Sequence, residues 1–139
     1  DNKGLQLTRQ QLEAMLQFIA ATRQEGRIDL KFSCEAYTGK YEESIRDSYF
    51  FCRAGINIGS VLINGDISAC PNVDRFFVQG NIYKDNLIDV WDNKFSVMRD
   101  RNWMKCGVCA KCKDFKQCLG GAMHLRPKMN ENIRRCYKY

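Results

Sequence analysis

Histidine occurs once, and no stretch of the 139 residues approaches the roughly 20 consecutive apolar residues that a membrane span requires. The first scarcity leaves only His124 for a Ser-His-Asp or Cys-His-Asn set, and neither arrangement is visible. His124 is read as surface or core rather than as a metal ligand. The second makes a membrane partner unexpected. The opening DNKGLQLTRQ carries no apolar segment behind a basic one and no initiator Met. The expectations are a reducing, cytoplasmic setting and a start inside a longer protein. A phosphate loop, a dinucleotide-binding fingerprint, internal repeats and low-complexity segments are also missing. Formal net charge is +6, but the bases are scattered, with no run denser than a pair such as Arg134-Arg135. Nucleic acid is therefore not expected as a partner.

What the chain has in plenty is cysteine. There are eight: Cys34, Cys52, Cys70, Cys106, Cys109, Cys112, Cys118 and Cys136. An even number permits a disulfide framework. Four of them, however, fall in the single run CGVCAKCKDFKQC, where disulfides would close tiny, strained loops. One ion or cluster can collect several thiolates from such a tight turn, so metal ligation is the preferred reading. Cys109 and Cys112 form C-x2-C, which suits zinc as well as iron–sulfur. A cubane is larger than one ion and needs its ligands spread over several corners of a cavity. The Cys112-x5-Cys118 spacer supplies that spread. Gly107, Gly120 and Gly121 beside the ligands are either simple loop residues or places where backbone amides approach sulfur. Arg53, Lys105, Lys111, Lys113, Arg134 and Arg135 lie within two residues of a cysteine. They are solvated surface or partial neutralisation of cluster charge.

Around these residues the pattern predicts an α+β fold: a small, loop-rich domain with a β-hairpin, two helices and cysteine-ligated metal. Thr8 and Gln11 fit a capping box, and Leu12, Met15, Leu16 and Ile19 form the stripe of an amphipathic helix that Gly26 ends. IDLKFSC alternates in part and reads as a strand running to Cys34. Thr38-Gly39 reads as a turn. Asn64-Gly65, between β-branched runs, predicts a type I′ hairpin with Cys52 shortly before it and Cys70 at its far end. Residues 73–86 read as an irregular connection. Asp85 or Asn86 caps a second helix whose stripe is Leu87, Val90, Trp91, Phe95 and Met98.

The cysteine spacing then becomes specific. Cys52-x12-Gly65-x4-Cys70, the Gly80-Asn81-Ile82 linker with the helix from Leu87 to Trp91, Cys109-x2-Cys112-x5-Cys118 and the isolated Cys136 together resemble the SPASM domain. This is the auxiliary-cluster region at the C-terminal side of radical S-adenosylmethionine (SAM) enzymes that modify peptides or proteins. The resemblance covers roughly residues 50 to 136. It implies two [4Fe–4S] clusters flanking the hairpin, with electron transfer and substrate docking as the role. It further implies that residues 1–48 are a helix and strand from the end of the radical SAM barrel or a linker, and that 49–139 are the auxiliary-cluster domain. The partners implied are that barrel, in the same polypeptide, and a peptide or protein substrate. S-adenosylmethionine belongs to the barrel alone. The C-x3-C-x2-C signature that would bind it is absent, so this chain is not expected to be catalytic by itself.

Two departures from the family pattern bear on the ligands. The usual cysteine four positions after Cys118 is replaced by Ala122, and Cys106 and Cys34 are surplus. The surplus residues are inferred to complete the first cluster, as Cys34, Cys52, Cys70 and Cys106, with Cys109, Cys112, Cys118 and Cys136 for the second. Alternatively the first site is three-ligated, with one iron open to substrate. A ferredoxin-like partition stays open, in which Cys106, Cys109 and Cys112 share a site with Cys70, the residue before Pro71. Two structural zinc ions, or a free-standing electron carrier, are the alternatives in function. Zinc could also replace iron in aerobically produced protein.

Overall fold

The first helix starts where its own side chains satisfy its orphan amides. Thr8 Oγ1 accepts from Gln11 N at 3.2 Å, and Gln11 Oε1 accepts in return from Thr8 N at 2.8 Å. Helix α1 (Arg9–Glu25) ends at Gly26, whose φ of 66° is left-handed. The computed structural model describes residues 6–33 and 36–138, and the fold is α+β. It divides into two units, Asp1–Phe50 with Tyr137–Tyr139, and Phe51–Cys136.

In the first unit, Leu12, Leu16 and Ile19 of α1 are buried with Ile45 of the short helix α2 (Glu42–Ile45). Met15, the fourth member of the predicted stripe, is partly buried against them. The predicted strand is corrected. The described part of that segment, Ile28–Ser33, adopts no strand. Its Leu30 and Phe32 cover the α1 core instead, and Phe32 N finds its acceptor at Ile45 O, 3.3 Å away. Alternation alone cannot make a strand where the neighbour is a helix end rather than a sheet edge. The end of that prediction, Cys34, lies outside the described residues. The turn expected at Thr38-Gly39 is present, with Gly39 at φ 65°. Beyond it the local structure is organised by a buried carboxylate. Glu42 accepts from Thr38 N at 2.6 Å, Thr38 Oγ1 at 2.8 Å and Phe50 N at 2.8 Å, and faces Arg46 Nε at 3.5 Å.

In the second unit, β1 (Ser60–Val61), β2 (Asp66–Ser68) and β3 (Gly80–Asn81) form an antiparallel sheet in the order β1-β2-β3. Ser60 pairs with Ser68, and Asp66 with Asn81. The hairpin lies where Asn64-Gly65 places it, but its turn differs from type I′. Gly65, at φ 84°, has positive φ and Asn64 does not. Leu62 N bonds to Asp66 O and Gly65 N to Leu62 O, both at 2.8 Å. This is a three-residue loop with a left-handed glycine at its end. Asn64 serves by its side chain, which accepts from Asp66 N at 3.2 Å. Strand β3 replaces the irregular connection expected at Gly80-Asn81. A Cβ on Gly80 would stand 2.9 Å from both Val90 Cγ2 and Asp85 Oδ2, so a larger residue would push the next helix away.

That helix, α3 (Leu87–Lys94), is capped by Asn86, which accepts from Ile88 N and Asp89 N. Asp85 instead takes Asn81 N and Lys94. The predicted stripe breaks at Phe95, and a separate turn, α4 (Ser96–Arg99), follows. Val90, Phe95 and Met98 are buried, while Leu87 is exposed. Trp91 packs on Phe95 with ring centres 5.0 Å apart, and Trp103 stacks on Phe77 at 5.6 Å. Short 3-10 turns and a last helical turn, α5 (Phe115–Cys118), build the rest. Among the described residues, no helix is long and apolar enough to cross a membrane.

Candidate metal centre

Cys52 enters a tight turn. Gly55 N bonds to Ile58 O at 2.8 Å, and Gly55 has φ 71°. A Cβ there would lie 2.3 Å from Met98 Cβ, so the residue after Ala54 has to be glycine. The turn leaves Cys52 buried, with Met123 N pointing at its sulfur from 3.5 Å. Cys70 follows β2 at the far end of the hairpin. Its carbonyl closes the next turn, taking Val73 N at 3.1 Å and Ser68 Oγ at 3.2 Å.

The cysteine-dense segment is a chain of three-residue turns. Cys109 N bonds to Cys106 O at 2.9 Å, Cys112 N to Cys109 O at 3.2 Å and Phe115 N to Cys112 O at 3.3 Å. The x2 spacing therefore sets one cysteine per turn. Helix α5 then carries Cys118, and the backbone takes three left-handed residues in succession, Leu119, Gly120 and Gly121. A Cβ on Gly120 would approach Met104 Cβ to 2.6 Å. These residues fold the chain back over the cysteine turns.

The electrostatics of Cys118 reveal its neighbours. Burial, followed by the nearby Cys136 and Cys109, pushes its thiol up to about 11, with the amides of Gly121 and Gly120 acting in the opposite sense. Cys109 and Cys136 thus each lie within electrostatic range of Cys118, while Cys136 itself is exposed. Cys106 lies near Cys109, because one guanidinium reaches both sulfurs. Cys52 stands by Met123, next to the fully buried Ala122 that occupies the position where a family cysteine is usual. Cys34 lies outside the described residues. The seven described cysteines are all free. Among the described residues, no three His, Cys, Asp or Glu side chains converge at the spacing of a single-ion site.

The donors fit an iron–sulfur group by their chemistry. All are thiols, they are distributed over a hairpin end and successive turns, and main-chain amides of Met123, Gly120 and Gly121 are directed at sulfur. Such amides stabilise negative charge on a ligated sulfur.

Two residues escaped the sequence reading. Arg126 is fully buried. Its Nη2 donates to Cys109 Sγ at 3.2 Å and Gly120 O at 3.0 Å, its Nη1 to Glu131 O at 3.1 Å and Cys106 Sγ at 3.8 Å, and its Nε to Gly120 O at 3.3 Å. Arg101, also buried, donates from Nη2 to Cys52 O at 2.8 Å and Ala54 O at 3.3 Å, and from Nε to Met98 O at 3.0 Å. The only sequence hint for Arg126 is its place before Pro127, where an extended backbone is favoured.

Thiols presented on hairpin and turns, with amides aimed at sulfur, define a cysteine-ligated cluster-binding domain. Residues 52–113 match the family model of SPASM, an iron–sulfur cluster-binding domain. The matched stretch includes Cys52, Cys70, Cys106, Cys109 and Cys112 and stops short of Cys118 and Cys136. No curated protein and no solved structure matches the chain.

Proposed function

We propose that this chain is the auxiliary-cluster region of a radical SAM enzyme that modifies a peptide or protein, acting in electron transfer and substrate docking. The carrying observation is the SPASM match across the hairpin cysteines and the C-x2-C turns. The first ligand set is Cys34, Cys52, Cys70 and Cys106, and the second is Cys109, Cys112, Cys118 and Cys136. Support for the second comes from Cys109 and Cys136 both lying within electrostatic range of Cys118. Support for a first site lacking its usual ligand comes from Ala122, which sits one residue from the amide facing Cys52 sulfur.

When bound, a [4Fe–4S] cluster in such a site supplies a one-electron acceptor for a radical formed on the substrate. The chain's own residues position it. Cys52 and Cys70 would hold it beside the two ends of the hairpin, and amide and guanidinium donors would set the charge around sulfur. The radical SAM barrel would belong to the same polypeptide and the setting would be cytoplasmic, where thiols stay reduced.

The test has two arms. Anaerobic reconstitution of the chain is expected to give about eight irons and eight sulfides, as two cubanes. Two zincs without sulfide would support the structural alternative. In the full-length protein, Cys118→Ala is expected to abolish modified product while 5′-deoxyadenosine is still formed. Equal product from wild type and variant would remove the electron-transfer role.

A further inference from the structure

Arg126 presents a problem of charge. A guanidinium stays protonated at any ordinary pH, and this one is fully buried. Among the described residues its partners are two backbone carbonyls and two sulfurs, with no carboxylate among them. Buried charges are normally paired, because an unpaired one sacrifices its hydration without return. Neutral thiols offer little return. Thiolates ligating a metal cluster would supply the missing negative charge at both sulfurs.

We infer that Arg126 is the built-in counter-charge of the cluster ligands Cys106 and Cys109, a positioning residue that holds both sulfurs and makes reduction of the bound iron–sulfur group easier. This rests on the cluster-binding reading above. The direction follows from charge. Reduction adds an electron to an already anionic site, and a fixed positive charge stabilises the more negative state. Under the ligand sets proposed, Arg126 touches one ligand of each cluster, so it would raise the potentials of both. Under the ferredoxin-like partition both sulfurs belong to one cluster, and only that potential would respond. The carbonyl bonds fix the fork in place. Gly120 O takes two donors from one side and Glu131 O a third.

The experiment compares wild type, Arg126→Gln and Arg126→Lys after anaerobic reconstitution, reading iron and sulfide content, the spectra of the reduced clusters and their midpoint potentials. The Gln variant is expected to favour the oxidised state by about tenfold, a shift of about 59 mV to more negative potential for a one-electron couple. Lys, which keeps the charge but not the fork, is expected to restore most of that shift. Where Gln prevents folding, the wild-type chain with 15N-labelled guanidinium nitrogens answers instead. Hyperfine coupling of a reduced cluster to arginine nitrogen, lost in the Lys variant, is expected, and no coupling in wild type overturns the inference. So does an unmoved potential in a fully loaded Gln variant, or a Lys variant displaced as far as Gln, since either would leave Arg126 a brace for carbonyls only. A wild type that takes up neither iron nor sulfide sinks the cluster-binding reading and this inference with it.

Discussion

Replacing Arg101 by Met would release the Cys52 turn from the segment that follows α4. The wild-type guanidinium makes two well-formed bonds, to Cys52 O at 2.8 Å and Met98 O at 3.0 Å, and a longer one to Ala54 O at 3.3 Å. Hydrogen bonds from a charged donor contribute about 1.5–3 kcal/mol each. Cys52 and Ala54 are 7% and 5% exposed, so water cannot readily take the vacated place. Against this, Met escapes the desolvation of a buried cation. The balance is a local loss of about 2–4 kcal/mol, or roughly 30- to 1,000-fold in an opening equilibrium. The assay is amide exchange at Gly55, whose N–H bonds to Ile58 O at 2.8 Å inside that turn. Its protection should fall by that factor in the reconstituted variant. The Leu16 amide, inside α1 in the other unit, should not change. Gly55 protection equal to wild type, within a factor of about three, would refute the claim that Arg101 fixes the turn.

The other expectations concern the ligands. Under the sets proposed, Cys106→Ala damages only the cluster that also uses Cys52 and Cys70, and adding Cys109→Ala damages both. One undisturbed cluster in the double variant, judged by iron content and spectra, would refute that placement of Cys106. Ala122→Cys, beside the amide that faces Cys52 sulfur, should return iron lost in Cys106→Ala, and no recovery would count against a site short of one ligand there. Chelating the metal should strip amide protection from residues 104–136, since a site that forms only on folding makes binding energy part of folding energy. Equal protection with and without chelator sinks that expectation. Finally, because the Cys118 thiol is raised to about 11, its buried neutral form contributes stability to the metal-free chain that is present below the unfolded thiol's pKa. That contribution is lost as pH rises through this window toward about 11, so the metal-free chain should weaken there and Cys118→Ala should flatten the dependence. An unchanged slope in the variant contradicts it.

What the sequence disclosed was local in every case. The α1 cap is a contact between residues three apart, and its stripe repeats within one helix, so both were readable. The hairpin was readable from Gly65, but its turn was not. Asn64 resolves the loop by bonding Asp66 through its side chain rather than by adopting positive φ. Strand β3 has two residues, too few for any alternation, and exists because Gly80 lets Val90 approach. The segment Ile28–Ser33 had the alternation without a strand to pair with. Arg126 and Arg101 were least accessible. Sequence proximity points only to cations within a residue or two of a cysteine. Arg126 is 17 and 20 positions from its sulfurs, and Arg101 is 49 from Cys52. Only the folded turns bring them together.

The same two arginines bear on why such a loop-rich segment orders at all. After Met104 the buried apolar residues among those described are few, chiefly Cys109, Ala122 and Met123. Burial of that size stabilises by only a few kcal/mol at about 25 cal/mol per Å², against a conformational cost of about 1–2 kcal/mol for each residue fixed. Cross-links must supply the rest. Arg126 is such a link, joining Gly120 to Glu131 across the cysteine turns, but it brings an uncompensated charge into the interior while the thiols are neutral. The raised Cys118 thiol makes deprotonation in the metal-free chain harder still. Metal entry would displace thiol protons, and each thiolate so formed near Arg126 would convert that charge from a penalty into an attraction. Folding of this segment and loading of the site are then one process. On this argument Arg126→Met should partly stabilise the metal-free turns while weakening the loaded ones. Urea unfolding of the chain with and without reconstitution would show opposite shifts in midpoint, and shifts of the same sign would break the link drawn between the buried guanidinium and the thiolates.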